Sequence, residues 1–299
     1  VSGKTRVGEH PLRLGPGALR LGARASVREL AAAAIAQAQA QFIANAPDAV
    51  ARQTPESVHQ ARVGLRKLRS YVRLFRSRIG RTKAKQLDGE LRWLFRLFGV
   101  LRDLQVFTRD VLPLMQSPPR TTFAFRARID QRLARARDDL RTMAQSARFR
   151  DLCAALVGLE RKLAEQRDDV CARAWLEKRL DRLRRRLRVK QEQLLRPSRD
   201  LHALRKRAKK LRYSSDLWRA LGKRHTKRER QFRAALTALQ DNLGALNDLR
   251  VERTLLAKAH PPASIEKRLR TTLAAAEAAH RAELANVYAC FAAADPFWD

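Results

Sequence analysis

The sequence predicts an all-α protein built from a duplicated helical unit. Three observations carry that prediction: a helix-forming composition, chain breaks spaced at helix length, and an internal repeat. Ala, Leu, Arg and Gln are abundant, whereas Gly (12) and Pro (11) are scarce among 299 residues. Breaks are expected at Asn45-Ala46-Pro47, Thr54-Pro55, Gly80, Gly99, Ser117-Pro118-Pro119, Arg196-Pro197-Ser198, Gly222, Gly244 and His260-Pro261-Pro262. They leave helical segments of about 12 to 25 residues. No alternating strand run with hairpin punctuation appears.

The repeat has two parts. Val58-His59-Gln60-Ala61-Arg62 through Arg66-Lys67-Leu68-Arg69 returns as Leu201-His202-Ala203-Leu204-Arg205 through Lys209-Lys210-Leu211-Arg212, 143 residues later. Phe98-Gly99-Val100-Leu101-Arg102-Asp103-Leu104 returns as Leu243-Gly244-Ala245-Leu246-Asn247-Asp248-Leu249, 145 residues later. Two unrelated motifs recurring in one order at nearly one offset argue for duplication. The expected organisation is a flexible lead-in over 1–22, a first half over 23–165 and a second over 166–299. The lead-in carries Gly3, Gly8, Pro11, Gly15, Pro16, Gly17 and Gly22.

Each repeated helix starts behind a proline. Thr54 is the expected N-cap with Pro55 at the first helical position and Glu56 behind it; Ser198 and Asp200 serve the second copy. His59, Arg62, Arg66, Arg69, Arg73 and Arg76 then share one face by their spacing. Val58, Ala61, Leu65, Leu68, Val72 and Phe75 form an apolar face beside it. The basic stripe is roughly 20 Å or more long. The second copy places His202, Arg205, Lys209 and Arg212 beside Leu201, Leu204, Ala208, Leu211 and Trp218. There Asp216 stands where the first copy has Arg73. A further run, Lys178 to Lys190, carries Arg179, Arg182 and Arg186, which face the second stripe if the two helices form a hairpin. Asp103 and Asp248 each follow a glycine and are read as caps or ion-pair partners of a following helix.

Sixty-four Lys and Arg against 30 Asp and Glu give a net charge of +34. Self-repulsion of that size implies a polyanionic partner. The 45% hydrophobic content excludes a disordered basic tail. No stretch has the apolar length of a membrane span, and the first residues lack the apolar core of a signal peptide. Cys153, Cys171 and Cys290 have no paired spacing; they are expected to be buried thiols in a reducing cytoplasm. Glu56/His59 and Glu277/His280 match the Glu-x-x-His spacing of carboxylate-bridged metal bundles. His59, however, lies on an arginine face, and its counterpart His202 has Arg199 in place of the glutamate. No metal, cofactor or catalytic motif is expected.

These motifs resemble the CHAD family, the conserved-histidine α-helical domain. The first family pattern is matched by His59, Arg62, Arg66, Lys67 and Arg69, and the second by His202, Arg205, Lys209, Leu211, Arg212 and Tyr213. The Leu-Gly-x-x-Arg/Asn-Asp segments are matched at Gly99–Asp103 and Gly244–Asp248, with Phe98 replacing the first Leu. The resemblance implies two antiparallel helical bundles related by a pseudo-twofold axis, with a basic central cavity or pore. It implies binding of inorganic polyphosphate and association with polyphosphate granules in the cytoplasm. Many members also carry a CYTH triphosphate-tunnel domain; the chain shows no Glu-x-Glu-x-Lys start for one, so binding without catalysis is expected. One wall of the site is then His59, Arg62, Arg66, Lys67, Arg69 and Arg73. The other is His202, Arg205, Lys206, Lys209, Lys210, Arg212 and Tyr213, with Arg179, Arg182 and Arg186 added. The rival reading is a general polyanion or nucleic-acid binder. Against it stand the 6% aromatic content and the placement of Phe75, Trp93 and Trp218 on apolar faces, away from any stacking platform.

Overall fold

The computed structural model describes residues 19–114, 119–166, 170–188, 201–222, 226–259, 261 and 263–298. The expected breaks around Pro118, Pro197 and Pro262, the Ser198 and Asp200 caps, and residues 1–18 of the lead-in lie outside the described residues. From Leu19 the chain already touches the body: Leu19 and Leu21 pack on the core, and the Leu21 N–H donates to the Ala220 carbonyl at 2.6 Å.

Helix α1 (Val27–Ala51) opens with a reciprocal cap. The Ser26 hydroxyl accepts from the Glu29 N–H, and the Glu29 carboxylate accepts from the Ser26 N–H. The expected break at Pro47 does not occur; α1 runs through it. The proline removes one hydrogen bond, but Ala46 before it and Ala49 beyond it lie buried, and that packing holds the last turn. Helix α2 (Pro55–Leu74) starts as its sequence dictates, with Thr54 capping the Ser57 N–H. Its apolar face, Val58 to Val72, is fully buried. Phe75 ends it, so Arg76 falls on a separate short helix, α3 (Arg76–Ile79), and the α2 stripe stops at Arg73. Gly80, at φ 94°, turns the chain into α4 (Arg81–Asp110).

A 3₁₀ turn (Leu112–Leu114) precedes α5 (Pro119–Gln145) and α6 (Ala147–Glu165). The second half supplies α7 (Ala172–Leu187), α8 (Leu201–Ala220), α9 (Lys227–Ala259) and α10 (Ala263–Ala293). Gly99 lies inside α4 and Gly244 inside α9, so neither breaks a helix. Asp103 and Asp248 therefore cap nothing; they are mid-helix residues.

The fold is all-α. Helices α1, α2, α4, α5 and α6 pack as one bundle and α7 to α10 as another, and the two interact through α1–α7, α2–α8 and α4–α9. The main core draws on both, with Phe75 stacked on Trp175 of α7 at 5.4 Å between ring centroids. A second core joins Phe107 and Phe125 to Leu256, Ile265 and Leu269. The starts of α1 and α7 are stitched by an antiparallel bridge: Val27 N–H donates to Val170 and Ala172 N–H to Ala25. The bridge accounts for one departure from expectation, because its partner Cys171 lies at the surface. Cys290 is also exposed and Cys153 half-buried. Among the described residues no helix is long and apolar enough to cross a membrane.

Candidate functional site

The basic faces of α2 and α8 come together where the two bundles meet. At the centre stand Arg62 and Arg66 of α2 with Arg205 and Lys209 of α8. Lys209 has lost so much solvent, and feels Arg66, Arg205 and Arg62 so closely, that its pKa falls to about 6 despite the opposing charge of Asp248. Burial also lowers Arg62 to about 10, against the pull of Asp103. Arg62 Nη1 and Arg205 Nε have no hydrogen-bond partner among the described residues.

A row on α4 holds Arg62 in place. Phe95, Gly99 and Asp103 succeed one another at helical spacing of four, on one face. The Arg62 guanidinium lies 4.6 Å above the Phe95 ring, and Arg69 and Arg66 lie at 5.5 and 5.8 Å from its centre. At Gly99 an added Cβ would stand 2.6 Å from Arg62 Nη1, so the missing side chain is what admits the guanidinium. Asp103, pushed up by its own burial, supplies the countercharge. The matching row on α9 is Gln240, Gly244 and Asp248, with Asp248 at 3.9 Å from Arg205.

The histidines flank this centre. Burial and the nearby Arg102 lower the pKa of His59; burial and Lys206 lower that of His202, whose Nδ1 lies 3.2 Å from the Asn247 side-chain oxygen. Beside His202, a pocket of about 170 Å³ opens between α8, α9 and α10, lined also by Arg250, Arg253 and Arg281. Lys206 projects into solvent.

The remaining wall residues divide. Lys67 donates to the Gln41 amide oxygen at 2.9 Å and faces Asp216 and Arg212 of the other half. Arg69 and Arg73 do not stand free: with Arg92 they converge on the buried carboxylate of Asp88, at 3.1, 2.7 and 3.2 Å. Burial pushes that carboxyl up, but Arg73 and Arg69 outweigh it and hold it below its ordinary value. Arg212 donates to Gln240 at 3.4 Å, and Tyr213 is buried. Lys210 sits with Arg179 and Arg186 of α7 and with Arg76 and Arg73 of the first half. The α7 run thus does face the second stripe, with Arg182 exposed beside Arg179. This second basic group is separate from the central four.

The sequence reading missed Phe95, Asp88 and the roles of Gly99, Asp103 and Asp248. The aspartates recur in register in both copies, and that was the available signal. Of the two expected roles, the cap fails because neither glycine breaks its helix, whereas Asp248 does act as an ion-pair partner, toward Arg205 of the preceding helix. Among the described residues no group of His, Cys, Asp and Glu has the geometry to hold a metal ion. Glu277, of the Glu-x-x-His pair, is instead the shared partner of Arg253 and Arg281.

Several solved structures resemble this one. The CHAD domain from the plant Ricinus communis superposes with a TM-score of 0.79 at 25% identity, over 96% of this chain and 98% of that one. PptA from Streptomyces chartreusis shares the fold, with a TM-score of 0.56 at 14% identity over 89% and 98% of the two chains. No functionally curated protein matches the chain. The CHAD domain family matches residues 33–257, well over half the chain, and with the helices and motifs described above this makes the chain a member of the CHAD domain family.

Proposed function

We propose that the chain binds inorganic polyphosphate without catalysis, through the facing basic sides of α2 and α8. The observation that carries this reading is the central group of Arg62, Arg66, Arg205 and Lys209. Four basic side chains from two bundles meet where loss of solvent, with the neighbouring guanidiniums, drives the Lys209 pKa to about 6, and guanidinium nitrogens of Arg62 and Arg205 are left unbonded. Such a group is costly to assemble unless an anion neutralises it. A chain of phosphates supplies closely spaced oxygens for guanidinium forks and a point charge for the ammonium. CHAD membership supports the same ligand.

On this reading the Lys210, Arg179 and Arg186 group extends the path along the second half. A relation of the two walls by the internal repeat is supported by the bridge at the bundle junction, whose partners Ser26 and Cys171 stand 145 residues apart, the offset of the second repeated motif. The cellular setting that fits is the cytoplasm, at polyphosphate granules. The test is binding of labelled long-chain polyphosphate to wild type and to Arg66→Glu/Lys209→Glu, with circular dichroism to check the fold. Wild-type affinity in a folded double variant contradicts the site.

A further inference from the structure

The pocket of about 170 Å³ between α8, α9 and α10 holds a cation surplus that the central group does not use. One wall is apolar, made by Leu201, Leu243 and Leu246. The other carries Arg250 and Arg253 of α9 and Arg281 of α10 around a single carboxylate, Glu277. Arg253 donates to one oxygen of Glu277, and Arg281 donates to the other through Nε at 2.8 Å. The Arg281 hydrogen bond, with help from Arg253, holds the Glu277 carboxyl below its ordinary value, so it is ionised. Three guanidinium charges less one carboxylate leave a net charge of +2 around the pocket. At the 145-residue offset of the second repeated motif, the first half carries Gln105 and Thr108 in place of Arg250 and Arg253. There Gln105 donates to the Gln53 carbonyl at 2.8 Å. The surplus is therefore particular to the second half.

We propose that this pocket binds one terminal phosphoryl group through Arg250, Arg253 and Arg281, at a site separate from the central four cations. Its volume lies below the roughly 300 Å³ at which pockets for drug-sized ligands begin, so the occupant is small. A terminal phosphoryl group carries about 1.5 to 2 negative charges at neutral pH, which matches the surplus, whereas a carboxylate would neutralise only half of it. Each guanidinium has five N–H donors, and the bond to Glu277 uses one on Arg253 and one on Arg281. Three phosphoryl oxygens can accept from the donors that remain, which arrive from two helices. The leucine wall lowers the local dielectric and strengthens those contacts. Glu277 is then a positioning residue: it holds Arg253 and Arg281 side by side before the anion arrives. Two sources present the same group, free orthophosphate and the end of a polyphosphate chain. The second is available because His202 belongs to the α8 stripe and also lines the pocket.

The test crosses two variants of the full chain. Arg250→Gln/Arg253→Thr installs the residues that the first half carries, and Arg66→Glu/Lys209→Glu disables the central group. Calorimetric titration with orthophosphate should show one saturable site in the wild type. That site should persist in Arg66→Glu/Lys209→Glu and weaken by about tenfold or more in Arg250→Gln/Arg253→Thr. Arg250 is exposed, so Arg250→Gln alone should fold normally and weaken the site by a smaller factor. This single variant decides the matter if the double variant unfolds. Long-chain polyphosphate with free or esterified ends then identifies the source. If the chain end enters the pocket, Arg250→Gln/Arg253→Thr weakens free-ended chains more than capped ones; if free phosphate is the ligand, both chains respond alike and the orthophosphate site alone is lost. Three results overturn the proposal: no saturable orthophosphate site in the wild type, unchanged orthophosphate affinity in the pocket variants, or a site lost in Arg66→Glu/Lys209→Glu. The orthophosphate titration involves no long-chain polyphosphate, so this proposal and the polyphosphate reading fail separately.

Discussion

The two basic walls use corresponding positions to opposite ends. In the first half Arg73 of α2 pairs with Asp88 of α4. At the matching places of the second half the signs are exchanged, and Asp216 of α8 pairs with Arg233 of α9. Lys67 is bonded to Gln41, while its counterpart Lys210 meets Arg179 and Arg186. Phe95 lies under three arginines; its counterpart Gln240 accepts a hydrogen bond from Arg212. The first wall is thus a set of cations already held by an aromatic ring, an amide and a carboxylate. In the second wall Lys209 and Lys210 mainly face other cations, Lys209 with Asp248 as an opposing charge. Pre-organised cations stabilise the fold and fix geometry, whereas unpaired ones gain most when an anion arrives.

The largest effect expected from this contrast is on binding. Lys209→Glu with Arg66→Glu should weaken polyphosphate affinity by about a hundredfold or more, measured by anisotropy. Lys209→Met should weaken binding too, yet raise the melting temperature of the free protein, because it removes a buried amine that the fold must strip of its proton. A matched loss in the first wall should behave in reverse. Asp88→Ala strands three arginines around a buried site and should cost about 3 kcal/mol of stability by chemical denaturation. Its effect on binding should be the smaller one.

Acidity sharpens the comparison further. The folded pKa of Lys209, about 6, lies below the ordinary 10.5. Between those values the unfolded chain holds a proton the folded chain lacks, so the stability of the free protein rises with pH across that window. Bound polyphosphate should favour the charged amine, so binding should take up a proton and affinity should fall as pH rises from about 6. Both slopes should shrink in Lys209→Met. Titration calorimetry in buffers of different ionisation enthalpy measures the proton uptake directly.

The smallest expected effects distinguish the paired glycines. An added Cβ at Gly244 meets nothing within 4 Å, so Gly244→Ala should stabilise α9 by about 0.5–1 kcal/mol. Gly99→Ala carries the same helical gain but displaces the Arg62 guanidinium, so it should weaken binding several-fold. Equal behaviour of the two variants would erase the distinction between the walls at this point.

Much of this architecture is legible in the sequence, because it rests on local rules. Thr54 and Pro55 announce the start of α2. The spacing of His59 to Arg73 against Val58 to Val72 separates its charged face from its buried one. What escapes is whatever tertiary packing decides. Pro47, Gly99 and Gly244 look like breaks by propensity, yet each lies within a helix that packing holds together. The reason for Gly99 is visible only once Arg62 is seen against it. Phe95 lies outside both repeated motifs, and only the crossing of α2 over α4 turns its ring toward three guanidiniums. Cys171 escapes for a similar reason: it sits exposed in a bridge between bundle starts that no periodicity reveals.

The central claim is that the facing walls of α2 and α8 form a dedicated polyphosphate site. Its most direct test is competition at physiological salt: labelled long-chain polyphosphate, bound to the wild-type protein, is challenged with unlabelled polyphosphate, duplex DNA, single-stranded RNA and orthophosphate. The account predicts that only polyphosphate displaces the label at low concentration, and that the Arg66→Glu/Lys209→Glu protein, folded, holds no label to displace. Displacement by DNA or RNA at equal phosphate concentration would contradict it and leave a general polyanion binder in its place.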